Sequence, residues 1–228
     1  MTRAEKSVKL SLVLDMDGTL VSHIAHGNSV DTYIPVARPY LFEFLCTCFE
    51  KFRCVGIWTA AEPRWYWRVS TIVLQPLLEE VSRSLGRPCF FSFVWSRDTC
   101  RIVRPGRTPA DPPRLLTKPL KFIWERTYSP YCHFTADNTV VVDDMPQTFA
   151  ENYANAVQVP KYEIGRNHQQ AFRDCYLLQL SEHFEELDLH YQLHGSIRCA
   201  EKIKWNHLNY FSVCIQRQHE NVHCRFGR

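Results

Sequence analysis

No stretch of this sequence approaches the roughly 18 consecutive apolar residues that a membrane-spanning helix needs, so no span and no membrane partner is expected. Residues 1–8 are polar and charged and lack the apolar core of a secretory signal. No internal repeat or low-complexity tract interrupts the chain, which excludes a solenoid and a long disordered linker. A formal net charge of +3 is too small to indicate nucleic acid by itself, and no compact run of lysine and arginine reads as a nuclear address. The 10 cysteines include no regular C-x2-C pair, so Cys46/Cys48, Cys132/His133 and His223/Cys224 make no zinc-finger framework. Cys46, Cys48, Cys54 and Cys175 lie in apolar or amphipathic segments, where a free thiol acts as a small hydrophobe. A reducing intracellular compartment, nucleus or cytoplasm, is the expected setting.

What is present fits one domain with an insertion: 45% hydrophobic and 13% aromatic content over 228 residues is enough to fill a core. Strand and helix patterns alternate, which predicts an α/β fold around a parallel sheet. Residues 9–14 form an apolar strand, and residues 21–37 an irregular stretch read as a small hairpin flap. Pro39 opens a helix with an apolar face from Leu41 to Phe49, followed by a strand over Cys54–Trp58. A helix over residues 63–85 is expected to be kinked or divided at Pro76. Cys89–Trp95 reads as a strand, residues 101–117 as a surface loop, and Leu120, Ile123 and Trp124 as an amphipathic segment. Thr139–Val142 is a strand, Pro146 is expected to begin a helix, and Ala156–Val159 is another strand. Phe172, Tyr176, Leu180, Phe184 and Leu187 mark a packing helix, and the pattern weakens beyond His190.

The first strand carries the chemistry. Leu12-Val13-Leu14 runs straight into Asp15-Met16-Asp17-Gly18-Thr19, so two carboxylates emerge at a strand end, where open α/β sheets bind ligands. Both stay ionised only with positive charge nearby, and a hard cation such as Mg2+ takes oxygen ligands. A solvated acidic turn is the bland alternative for this tetrad. Thr139–Val142 is the second apolar strand to end in acids, here Asp143-Asp144, which alone would read as a helix cap before Pro146. Thr59, after the second long strand, offers a hydroxyl donor, and Lys118 offers a fixed positive charge. Together they suit phosphoryl transfer through an aspartyl-phosphate: Asp15 as nucleophile and Asp17 as acid/base, with Thr19, Thr59 and Lys118 on the phosphoryl oxygens. Asp15, Asp17, Asp143 and Asp144 are the candidate metal residues. Arg97, Arg101, Arg104, Arg107, Arg114, Lys118 and Lys121 face only Asp98 and Asp111, a basic patch able to attract an anionic substrate if it is not simply a solvated loop.

In Asp15-x-Asp17-Gly18-Thr19, Trp58-Thr59-Ala60, Lys118 and Val142-Asp143-Asp144 the chain resembles the haloacid dehalogenase superfamily of phosphotransferases. Arg38-Pro39-Tyr40-Leu41-Phe42-Glu43-Phe44-Leu45, Ile57-Trp58-Thr59-Ala60, Lys118-Pro119-Leu120 and Asp143-Asp144-Met145-Pro146 are similar to its FCP/SCP branch, phosphatases of the C-terminal repeat domain of RNA polymerase II. The Lys-Pro-Leu form and Trp124 are most similar to members bearing a ubiquitin-like domain, for which the residues before Asp15 leave no room in this sequence. The resemblance implies a Rossmann-like parallel sheet flanked by helices, Mg2+ as cofactor, and a phosphoserine or phosphothreonine protein or peptide as substrate. It also implies that Asp17 contributes its backbone carbonyl to the metal and that Asp143 is a direct ligand. Residues 1–190 would form the phosphatase domain and residues 191–228 a C-terminal extension of unknown role. Gly18 departs from that branch, which usually has glutamate there, and agrees with the wider superfamily. Two other functions are compatible with the same residues: a phosphatase of a small metabolite or nucleic-acid end, and a binding module that kept the fold without catalysis.

Overall fold

A computed structural model describes residues 9–25, 32–103, 115–164, 171 and 173–201. Its centre is a five-stranded, all-parallel sheet in the order β5-β4-β1-β8-β9. These strands are β1 (Ser11–Leu14), β4 (Cys54–Trp58), β5 (Val94–Trp95), β8 (Thr139–Asp143) and β9 (Ala156–Gln158). Every residue of β1, β4 and β8 is buried, as expected for inner strands covered on both faces. The two-residue period sorts their side chains. Leu12, Leu14, Val55, Ile57, Val140 and Val142 join one core cluster, while Val13, Cys54, Trp58 and Val141 join a second. Each fully buried aliphatic side chain contributes roughly 1.5–3 kcal/mol of burial free energy.

Helices α1 (Leu41–Lys51), α3 (Gln75–Leu85) and α5 (Tyr176–His194) pack together on the first core, α1 between the other two. Phe44, Phe52 and Phe184 meet there, Phe184 lying edge-on to Phe52 with centroids 4.8 Å apart. α5 carries the expected apolar face through Leu180, Phe184 and Leu187 and continues past residue 190 to His194; Phe172 lies outside the described residues. The division expected at Pro76 is present: α2 (Pro63–Val69) passes through a π-helical turn at Ser70–Leu74 into α3. Gln75 donates its N–H to the carbonyl of Ser70, a wide turn that makes room for the proline ring.

The flap expected after β1 is an antiparallel hairpin of β2 (Val21–Ile24) and β3 (Ile34–Ala37). Three other expectations are corrected. The run Cys89–Trp95 supplies a ladder strand only at Val94–Trp95, although Ser92 and Phe93 also exchange backbone hydrogen bonds with Val55 and Ile57 of β4. The segment read as a loop over 101–117 begins and ends as a second hairpin, β6 (Arg101–Val103) with β7 (Leu115–Thr117), and residues 104–114 lie outside the described set. No α-helix starts at Pro146: a turn there is followed by a 3-10 segment over Ala150–Asn155, where Asn152 has φ −129° and its side chain is occupied elsewhere. A short helix α4 (Lys121–Trp124) covers the second core. No helix among the described residues is long and apolar enough to cross a membrane.

Candidate active site

Three adjacent parallel strands deliver their next residues to one edge. In register, Leu14 lies beside Ile57 of β4 and Val142 of β8, so Asp15, the end of β4 with Thr59, and Asp143 all emerge at the carboxyl ends of the sheet. Neighbouring strands are only about 4.8 Å apart, so their terminal side chains necessarily meet. The backbone N–H of Asp15 donates to the carbonyl of Val142 at 2.8 Å, which fixes the two acids relative to each other. Strand order also reverses around β1, the arrangement that opens a ligand crevice in doubly wound sheets.

Lys118 enters this crevice from the end of β7 and is 2% exposed. Its Nζ donates to Asp143 Oδ2 at 2.7 Å and also to Asp15 Oδ1. Its main chain is held at both ends: the N–H donates to Thr148 O at 2.7 Å, and Asn152 Nδ2 donates to Lys118 O at 3.0 Å. Burial works against the charge on Lys118, but Asp15 and then Asp143 outweigh it and hold the ammonium above its ordinary value. Lys118 therefore leaves the basic patch in which sequence placed it. Arg97 and Arg101 pair with Glu62 and Glu151, and Arg104, Arg107 and Arg114 lie outside the described residues.

Asp15, Asp143 and Asp144 offer carboxylate oxygens within 4.8 Å of one another, the single such group among the described residues. The pairs Cys46/Cys48 and Cys132/His133 form no comparable group there, and His223/Cys224 lies outside the described residues. The eight described cysteines are free thiols. One lysine faces three carboxylates, so the cluster has an excess of negative charge. Desolvation by burial accordingly drives Asp15 well above the usual carboxylate range, with Lys118 opposing and Asp143 adding to it. Burial and then the charge of Asp143 raise Asp144 to about 6. Asp144 Oδ1 is buried without a hydrogen-bond partner. These buried oxygen donors, short of positive charge, fit a hard divalent cation.

Asp17 faces a different set. Its Oδ1 accepts the indole N–H of Trp65 at 2.5 Å, and its Oδ2 accepts the hydroxyl of Thr59 at 3.4 Å. Burial raises its pKa, while the Trp65 and then the Thr59 hydrogen bonds pull the other way. Its carboxylate is thus engaged with Trp65 and Thr59, outside the Asp15/Asp143/Asp144 group. Gly18 follows with φ +78°, a left-handed turn that favours glycine. Space gives a second reason for glycine: a Cβ there would stand 2.6 Å from Asp144 Oδ2. Thr19 is fully buried, its carbonyl accepts from Arg38 at 3.0 Å, and its Oγ1 makes no hydrogen bond, so it takes no part in the contacts around Lys118 or Asp17.

Two residues of this site escaped the sequence reading. Trp65 reads as one of the apolar positions of the 63–85 helix, and only its indole N–H hints at a polar role. Asn152 falls where a helix is expected, and an asparagine in such a place is the available signal that its side chain is needed by the backbone.

Residues 10–194 match the family of NLI interacting factor-like phosphatases. Ubiquitin-like domain-containing CTD phosphatase 1 of Gallus gallus is 28% identical over 180 residues, which cover 78% of this chain and 50% of that protein. Its Drosophila melanogaster counterpart is 28% identical over 204 residues, covering 87% of this chain and 54% of that protein. The chain thus spans about half the length of these curated relatives. The solved structure of Fcp1, described as an essential RNA polymerase II CTD phosphatase, superposes with a TM-score of 0.54 at 15% identity. That match covers 85% of this chain and 69% of the other, and shows the fold alone. The α/β sheet with flanking helices is that of the haloacid dehalogenase phosphatases, and the chain belongs to the NLI interacting factor-like phosphatase family.

Proposed function

We propose that the chain is a Mg2+-dependent phosphatase that works through a phosphoaspartyl intermediate on phosphoserine or phosphothreonine in protein. The observation that carries this reading is the buried Lys118 ammonium bridging Asp15 and Asp143 at the carboxyl edge of the sheet. Lys118 opposes the burial that favours the protonated acid at Asp15 and so favours the ionised nucleophile, and the same cation offsets charge on the transferred phosphoryl oxygens. Asp15 would attack phosphorus and form an acyl phosphate as the bond to the serine or threonine oxygen breaks. Asp17, two residues on, would give that oxygen its proton. A water would then attack the acyl phosphate, losing its proton to Asp17, and release inorganic phosphate and free Asp15. Thr59, whose single hydroxyl proton is directed to Asp17 here, would turn it to a phosphoryl oxygen when substrate is bound. When bound, Mg2+ would neutralise phosphate charge and orient its oxygens; Asp15, Asp143, Asp144 and the backbone carbonyl of Asp17 would hold it.

A phosphoprotein partner, the repeat domain of RNA polymerase II included, is supported by what the relatives' names say of those proteins. The same names favour a nuclear location over a cytoplasmic one. The contacts that join Asp15, Asp17, Thr59, Lys118 and Asp143 weigh against a module without catalysis. Asp15→Asn is expected to abolish release of nitrophenol from para-nitrophenyl phosphate while leaving the unfolding transition in place, and equal turnover by both proteins would remove Asp15 as nucleophile. Phosphopeptide and nucleotide panels, with that variant as blank, decide the substrate: turnover of nucleotide 3′-phosphates with none of peptides would replace the protein-phosphatase reading.

A further inference from the structure

The carboxylate of Asp17 sits two residues from Asp15 and beside a cluster that is short of positive charge. Left to itself it would be drawn to Lys118 or to a cation shared with Asp15, Asp143 and Asp144. It is instead bonded to Trp65 on α2 and Thr59 after β4.

Trp65 is itself unable to turn away. It is 7% exposed, and its ring is wedged against two flap residues: His23 on β2 at 5.7 Å and 78°, and Tyr33 just before β3 at 6.3 Å and 82°. His23 and Tyr33 stack on each other with centroids 4.6 Å apart and planes within 8°. The flap is in turn tied to α2, because Arg68 Nε donates to Tyr33 O at 2.7 Å. A stacked pair therefore backs the indole, and the indole N–H points at one carboxylate oxygen.

We infer that Trp65, wedged by the His23–Tyr33 stack, is the positioning residue that holds the Asp17 carboxylate toward the leaving-group side of the crevice and out of the cation cluster. The inference rests on the phosphatase reading above. It assigns the flap a role in orienting the proton donor, transmitted through an indole. Proton delivery matters most when the leaving oxygen is a poor leaving group, since an activated aryl oxide departs without a proton. Loss of the indole N–H should therefore be felt unequally across substrates, whereas a general loosening of the fold would be felt equally.

The test compares wild type and Trp65→Phe on phenyl phosphate and on 2,4-dinitrophenyl phosphate, using kcat/KM, which covers the steps through departure of the leaving group. The expected result is a fall at least about tenfold larger for phenyl phosphate than for the dinitrophenyl ester. A fall of the same factor on both overturns the inference while leaving the phosphatase reading intact. A wild-type protein that hydrolyses neither ester removes the phosphatase reading and the inference with it. A second measurement is independent of whether Trp65→Phe folds well. In the proton–nitrogen spectrum of the wild-type protein, one indole N–H resonance should lie downfield of the others and move upfield in Asp17→Asn. Indole resonances unmoved by that substitution overturn the inference.

Discussion

Gly18 and Asp144 compete for the same space. The glycine has φ +78°, and the carboxylate of Asp144 lies where its Cβ would be. Gly18→Ala should cost roughly 1–2 kcal/mol for the left-handed backbone alone, and displace Asp144 in addition. Urea unfolding of both single variants and of the double variant with Asp144→Ala separates the two contributions. The alanine at position 18 should be less costly once Asp144 is removed, by about 0.5–3 kcal/mol; equal costs in both backgrounds would mean that the carboxylate simply moves aside. The acid pairs, Thr59 and Lys118 were legible in sequence because each directly follows an apolar run or a turn-rich segment. Trp65 and Asn152 were not, since each acts through an N–H that reaches its partner only after folding, across 48 residues for Trp65–Asp17 and 34 for Asn152–Lys118.

Among the elements, Arg38 at the end of β3 does the joining. It is 1% exposed and makes a two-pronged pair with Asp174, Nε to Oδ1 and Nη2 to Oδ2, each at 2.9 Å. Its other donors reach Thr19 O at 3.0 Å and Pro160 O at 2.8 Å, and the guanidinium lies 5.5 Å from the rings of both Tyr162 and Tyr176. One side chain thereby binds the flap, the turn after Asp17, the segment after β9 and the start of α5. Removing one partner of such a buried pair leaves the other charge uncompensated, so Asp174→Ala should lower stability by about 3 kcal/mol. A urea midpoint corresponding to a loss under about 1 kcal/mol would show that solvent reaches the guanidinium in the variant. The sequence could not show this pair, whose members are 136 residues apart. It could show the strands and helices whose period is unambiguous, and it failed where two patterns compete. Turn-forming prolines and glycine hid the short β6 and β7 ends of a hairpin, and Pro146 suits the first position of a helix and of a turn equally well.

At the scale of the whole molecule, a net charge of +3 conceals a site of the opposite sign. That contrast follows from the parallel sheet, which was legible as two apolar runs each ending in acids, although the order of strands that brings them together had to be seen. Because the excess charge is buried, a cation bound there would be linked to stability: at a Mg2+ concentration ten times its Kd, folding would gain about 1.4 kcal/mol. The pH dependence follows from Asp144, raised by burial and by Asp143 from 3.8 to about 6, with Asp15 displaced in the same direction. A carboxylic acid with a raised folded pKa binds its proton more tightly when folded. In the metal-free protein its contribution to stability is therefore present at low pH and lost as pH rises from 3.8 through about 6. A cation needs the deprotonated ligands, so its contribution grows over that same window. The rise in Tm on adding Mg2+ should be small near about pH 5, full by about pH 7.5, abolished by a chelator, and poorly reproduced by Ca2+, whose larger and looser shell suits the three clustered acids less well. Thermal melts at the two pH values, with and without each cation, measure this directly. A Tm gain that is the same at both, or larger in acid, would mean that Asp144 is not a ligand.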